Sequence, residues 1–155
     1  MKQILSNDII NQYMPTLVKC PLFNTLGEPE LRSYLNNAKV IIHSYQKNDF
    51  IALAGDPMEG IGVILEGSAL LTRENVMGQR VIMANLEQSD IFGEALLFSK
   101  QPLWPATIKA TKATKIMFIP LETFIKTLPD CHQCQTKILS NLLEDLSEKD
   151  RKSVV

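Results

Sequence analysis

Neither sign of charge is in excess: 16 lysines and arginines stand against 17 aspartates and glutamates, a formal net charge of −1. A chain so balanced has no strong electrostatic footprint for nucleic acid, acidic substrates or an anionic membrane. Long apolar runs are missing too. No stretch approaches the ~20 residues a membrane helix needs, and Lys2, Asn7, Asp8 and Asn11 break up the N-terminal segment where a secretory signal would be apolar. A soluble cytoplasmic protein is therefore expected. There are only three cysteines, an odd count without an export signal, which argues for reduced thiols and against a disulfide framework. There are only two histidines, too few for the histidine-rich metal centre of a barrel-shaped metalloenzyme. No Ser/His/Asp set and no convincing carboxylate pair stands in for it, so the sequence reads as that of a non-enzyme.

What is present suffices for one core. With 155 residues, 45% of them hydrophobic, the chain predicts a single domain over 1–155: helices in 1–37, a β-rich body over 38–119, and helices again over 120–155. Ser6 caps a short helix with Ile9, Ile10 and Tyr13 on one side, and Met14-Pro15 is expected to end it. A second helix runs from Glu28 to Asn36, with Pro29 in its first turn and Leu31, Tyr34 and Leu35 as its apolar face.

Short β-rich runs follow at 40–45, 50–53, 61–66, 68–73, 80–86, 106–112 and 115–119, separated by turn residues such as Gly55-Asp56-Pro57 and Gly67. This spacing predicts an antiparallel sandwich or roll. Ala106, Ile108 and Ala110 alternate with Thr107, Lys109 and Thr111, one face inward and one toward water. After Pro120 a brief helix over 121–128 precedes a longer one from Cys131 to about Arg151, where Ile138, Leu139, Leu142, Leu143 and Leu146 form an apolar stripe. The stripe needs a partner surface, either the chain's own β-roll or the same helix of a second subunit.

The most informative segment is Asp90-Ile91-Phe92-Gly93-Glu94-Ala95-Leu96-Leu97-Phe98. A strand ends at a glycine, an acid follows and a helical turn opens, which gathers backbone N–H groups where an anion can be held. This segment resembles the phosphate-binding cassette of the Crp/Fnr family, the cyclic-AMP receptor and fumarate-nitrate regulators. Cys20-Pro21-Leu22-Phe23, Gly55-Asp56, the run from Ile61 to Leu65 into Glu66-Gly67, and the final long helix fall in the same order. The resemblance covers about residues 17–150.

It implies a mainly β fold with flanking helices, a double-stranded β-roll of the cyclic-nucleotide-binding type, with a C-terminal dimerisation helix. It also implies a transcription regulator that binds a small-molecule effector as a homodimer. DNA would be bound through a helix-turn-helix that lies outside these 155 residues.

In nucleotide-binding members the cassette glutamate accepts from the ribose hydroxyl, and an arginine several residues later pairs with the cyclic phosphate, followed by a small hydroxyl residue and alanine. Here Glu94 and Ala106 fit, but the arginine position falls on Trp104 and the hydroxyl position on Pro105. An indole has one N–H and no charge, where a guanidinium gives two charge-assisted bonds. The resemblance thus implies an effector pocket of Phe92, Gly93, Glu94, Ala95, Leu96, Leu97, Trp104, Pro105 and Ala106 that takes a molecule other than a cyclic nucleotide, or one that the indole simply plugs. Glu144, Asp145, Lys149 and Asp150 on the last helix add acidity, not phosphate attraction. The runner-up keeps cAMP or cGMP, held by Glu94 and the backbone of Gly93 to Leu97.

Cys131-His132-Gln133-Cys134 places two thiols on one face of a helix start, a possible redox switch. A closed zinc site would need four ligands, and only His43, His132 and Cys20 remain, from separate parts of the chain. Iron–sulfur ligation has only Cys20 near the N-terminus, and no spacing singles out Cys131, His132 or Met77 for haem. No metal and no cofactor is expected.

Overall fold

The computed structural model describes residues 2–97, 99–125 and 132–152. Its β-strands are β1 (Lys2–Ile4), β2 (Ile41–Tyr45), β3 (Phe50–Ala52), β4 (Gly60–Glu66), β5 (Ala69–Glu74), β6 (Arg80–Leu86), β7 (Ile91–Phe92), β8 (Thr107–Ala110) and β9 (Thr114–Pro120). They form two antiparallel sheets, ordered β1-β2-β9-β4-β7 and β3-β8-β5-β6, laid face to face as a β-roll. The helices are α1 (Asn7–Leu17), α2 (Glu28–Asn37), α3 (Glu122–Ile125) and α4 (His132–Lys152), with a 3-10 turn at Glu94–Leu96.

Apolar residues on alternate sides of the five-stranded sheet divide the core in two. Ile42, Val63, Met117 and Ile119 meet the helices, together with Leu17, Phe23, Leu31, Tyr34 and Ile138. Ile64 and Ile116 face the other way and meet Ala69, Phe92, Trp104 and Ile108 between the sheets. β4, between β9 and β7, is buried on both faces, which accounts for its unbroken run Ile61 to Leu65. On β8, Ile108 and Ala110 are buried while Thr107 and Lys109 are partly exposed, as the alternation predicts.

Two elements differ from the sequence reading. α1 does not stop at Met14-Pro15 but continues to Leu17. Pro15 removes only one late helical bond. The chain keeps winding past it, with the Val18 N–H donating to the Met14 carbonyl at 3.0 Å and the Cys20 N–H to that of Leu17 at 3.1 Å. Burial of Met14, Leu17 and Cys20 holds this extra turn in place. β1 carries no strand signal of its own; pairing with β2 makes it, with Lys2 opposite His43 and Ile4 opposite Ile41.

α4 lies against α2 and the 3-10 turn, so its stripe is covered first by the chain's own helices. Ile138 and Leu142 are fully buried and Leu143 is 60% exposed. Leu139 and Leu146 are half-buried at the edge. Polar anchors fix the helix: the Asn141 amide donates to the Leu22 carbonyl at 2.9 Å and to Thr25 Oγ1 at 2.8 Å, and Gln135 donates to the Thr123 carbonyl at 3.0 Å.

Lys137 Nζ lies 2.9 Å from Glu30 Oε2, tying α4 to α2. Lys137, and after it the Gly27 N–H, hold the Glu30 carboxyl below its ordinary value of 4.5. A carboxyl depressed in the folded state stabilises above its unfolded pKa, and the stabilisation fades as pH falls through the folded one. Glu30→Gln should therefore melt lower than the wild type at neutral pH. Melting curves from pH 7 downward should show this gap closing below about pH 4, and ~1 M salt should narrow it at pH 7.

Candidate functional site

The cassette begins where β7 ends. β7 pairs with β4, Gly62 opposite Phe92 and Val63 opposite Ile91. A Cβ on Gly62 would collide with Phe92 Cζ, so the bare glycine is what lets the tip of that ring close on β4. The ring then sits 5.7 Å from the Trp104 indole and edge-on to Phe118 at 6.0 Å.

Gly93 follows at φ 90° and ψ −3°, a left-handed conformation that suits glycine. It opens the 3-10 turn, in which Leu96 N–H donates to the Gly93 carbonyl at 3.2 Å and Leu97 N–H to that of Glu94 at 3.3 Å. Glu94 is buried, 4% exposed.

Trp104 comes from the loop before β8 and is 8% exposed. A Cβ at position 93 would stand 3.2 and 3.3 Å from indole carbons Cη2 and Cζ3, and 2.8 Å from Met58 Cε. The six-membered edge of the indole thus fills the space beside Gly93 that a side chain would need. Its loop is fixed by backbone bonds: Trp104 N–H to the Asp56 carbonyl, Gly55 N–H to the Trp104 carbonyl and Met58 N–H to the Pro102 carbonyl, each 2.8 Å.

The nine residues of the expected effector pocket fall in several environments. Phe92 and Trp104 lie in the sheet-to-sheet core, with Leu96 packed at its margin, and Ala106 is buried. Leu97 belongs to the helix-side core, and Ala95 is exposed. Pro105 faces a separate cleft of about 400 Å³ with Thr72, Arg73, Arg80 and Thr107. Phe98 lies outside the described residues.

Arg73, which the sequence reading passed over, brings a guanidinium beside this loop, its Nε 3.4 Å from the Pro105 carbonyl, and Arg80 lines the same cleft. Neither Gly93 nor Glu94 lines that cleft. Lys109 stacks over the Phe50 ring at 5.7 Å, and Lys100 lines a different cleft with Leu97 and Leu143. Where a phosphate would need a cation against Gly93, there is an aromatic ring.

A second hollow was also missed. His43, Tyr45, Phe118 and Trp104 line a cavity of about 220 Å³ at the mouth of the roll, with Asp56 and Glu59 at its margin. The His43 ring meets Phe118 edge-on at 5.6 Å. The same-side placement of residues 41, 43 and 45 on β2 and of 116 and 118 on β9 was open to period-two reading; the contribution of the Asp56 loop was not.

Burial pushes the Tyr45 phenol up to about 12, with the Glu59 and Asp49 charges adding to it. Cys134 is buried and its Sγ lies 3.6 Å from the Glu30 carbonyl, toward α2; Cys131 lies outside the described residues. Burial pushes the Cys20 thiol up to about 12, leaving it protonated at neutral pH. Among the described residues no three His, Cys, Asp or Glu side chains cluster to hold a metal, and no helix is long and apolar enough to cross a membrane. Met77 is 78% exposed at the β5–β6 turn.

The sequence model of the cyclic nucleotide-binding domain matches residues 42–130, from β2 through the cassette to beyond β9. The cAMP-activated global transcriptional regulator CRP of Pasteurella multocida is 29% identical over 125 residues, covering 79% of this chain and 59% of that protein. The chain therefore spans less than two thirds of that relative's length. Among solved structures, the catabolite activator protein of Thermus thermophilus superposes with a TM-score of 0.74 at 22% identity, over 86% of this chain and 59% of the other. The sensor domain of the transcriptional regulator DNR from Pseudomonas aeruginosa gives a TM-score of 0.73 at 18% identity, over 96% of both chains. At these identities the two superpositions speak for the β-roll fold.

Proposed function

The chain belongs to the cyclic nucleotide-binding domain family, and on that premise we propose that it is the effector-sensing domain of a Crp/Fnr-type transcription regulator whose cassette has lost its cyclic-phosphate site. One observation carries the reading: the Trp104 indole lies against Gly93, in the sequence position of the phosphate-pairing arginine. Two charge-assisted bonds of roughly 1.5–3 kcal/mol each are forgone, and cyclic nucleotide affinity falls by about two decades or more. The effector is a small molecule other than a cyclic nucleotide. The domain is not an enzyme; it works in the cytoplasm and reaches DNA through a segment beyond these residues.

Calorimetric titration with cAMP and cGMP tests this. No binding heat at micromolar concentrations is expected, and micromolar binding of either contradicts it. The second reading, a working cAMP site on Glu94 and the cassette backbone, is favoured by the cAMP-activated relative and by the retained turn at Gly93.

The same domain pairs with a second copy through the outer edge of α4. Leu143 at 60% exposure supports this, with Leu139 beside it in an apolar cleft of about 600 Å³ that Leu97 and Phe124 also line. Leu143→Glu should weaken the dimer by at least about tenfold, as a charge in an apolar seam costs more than 1.4 kcal/mol. Sedimentation over a concentration series reads this; unchanged self-association would remove the pairing.

A further inference from the structure

The indole that lies against Gly93 is also a wall of the hollow that His43, Tyr45 and Phe118 line, and the chemistry of that hollow is the opposite of a phosphate site. We propose that the mouth of the β-roll, walled by Trp104, Tyr45, His43 and Phe118 and rimmed by Asp56 and Glu59, binds a small organic ammonium ion. The proposal rests on the reading of Trp104 as a fixed wall, and it names the effector class for this domain.

Aromatic faces attract cations through the negative face of the ring, and desolvated aromatic cages are the usual way proteins hold quaternary ammonium groups. Here four aromatic side chains converge on one cavity. Their positions come from three separate elements: β2 supplies His43 and Tyr45, β9 supplies Phe118, and the loop before β8 supplies Trp104. The sign of the rim agrees with the walls. Asp56 and Glu59 are the charged side chains at the edge, and no lysine or arginine lines it. Neither carboxylate is engaged in a salt bridge with a described basic residue. Glu59 and Asp49 both act on the Tyr45 hydroxyl, so negative potential reaches inside the mouth.

Size narrows the ligand further. About 220 Å³ is below the ~300–1,000 Å³ of sites for drug-sized molecules, which suits a small amine and not a nucleotide. The walls are also firm. Pro57 pairs with Leu103 in an isolated antiparallel bridge, and the three 2.8 Å backbone bonds around Trp104 clamp the acidic loop to the indole loop. An ammonium ion seated here touches the same indole that lies against Gly93, which places it one ring away from the cassette turn.

Trp104 is the one tryptophan of the chain, so intrinsic fluorescence reports on this wall alone. The full chain is titrated with choline chloride, with sodium chloride at equal ionic strength, and with the neutral carbon isostere of choline. A saturable change with choline that neither control reproduces is expected, with the dissociation constant raised about tenfold by Glu59→Gln and by Asp56→Asn. Both variants alter exposed side chains, and their melting temperatures verify folding. Absence of a saturable response, an equal response to the isostere, or unchanged affinity in both variants overturns the ammonium site. A parallel cAMP titration separates the two ideas: a response to cAMP contradicts the lost phosphate site, whereas silence toward both ligands overturns the ammonium site alone.

Discussion

Replacing Trp104 with arginine and Pro105 with serine should raise affinity for cAMP by about two decades or more. The change removes the ring that covers Gly93 and returns a planar fork of donors to the position the resemblance assigns to the phosphate partner. Glu94 and Ala106 are already present, and the turn from Gly93 into Glu94–Leu96 keeps its left-handed entry. The double variant gives up a buried indole and puts a charged side chain in its place, so without ligand it should be less stable than the wild type by about 3–5 kcal/mol or more. Saturating cAMP should then recover part of that loss, about 2.7 kcal/mol at a hundredfold excess over Kd. Calorimetry reads the affinity and a melting curve with and without cAMP reads the recovery. A folded double variant that stays blind to cAMP would mean that Trp104 and Pro105 are not what excludes the nucleotide.

The second large effect is on α4. Ile138→Ala should cost about 2–5 kcal/mol, because the side chain is fully enclosed between α4 and the rest of the helix layer and its removal leaves a cavity. For a chain of this size that lowers Tm by about 10 °C. Leu143→Ala, one turn and a residue further on, should change monomer stability by no more than about 0.5 kcal/mol, since that side chain is mostly in water. Denaturant unfolding at low protein concentration separates the two. Equal costs would mean that α4 does not use one edge for its own chain and leave the other for a partner.

The split of that stripe shows where sequence reasoning runs out. The spacing of Ile138, Leu139, Leu142, Leu143 and Leu146 identifies an apolar face, yet its angular width exceeds what α2 covers, and only tertiary placement decides which leucines are left outside. The same holds for the cassette. Its turn is legible because Gly93 and Glu94 report a local backbone requirement, and β4 and β8 are legible because burial on two faces and on one face leave different periodicities in the chain. Leu96 and Leu97 are neighbours in sequence but go to different cores, since the 3-10 turn rotates successive side chains by about a third of a turn. β1 and the last turn of α1 exist through pairing and burial, with no local signal strong enough to announce them. The acidic mouth was hidden for a related reason: Asp56 and Glu59 look like ordinary turn residues until the clamp between their loop and the Trp104 loop brings them to the aromatic walls.

The central claim is that an indole occupies the place of the phosphate-binding cation, and the single Trp104 indole N–H resonance follows that ring directly. In a nitrogen–proton correlation spectrum of the uniformly labelled chain, this peak should hold its position as cAMP is raised to millimolar concentration, because the ring stays on Gly93 and no nucleotide enters. A peak that moves and saturates at micromolar cAMP would show the indole giving way to a bound nucleotide, and would contradict the account.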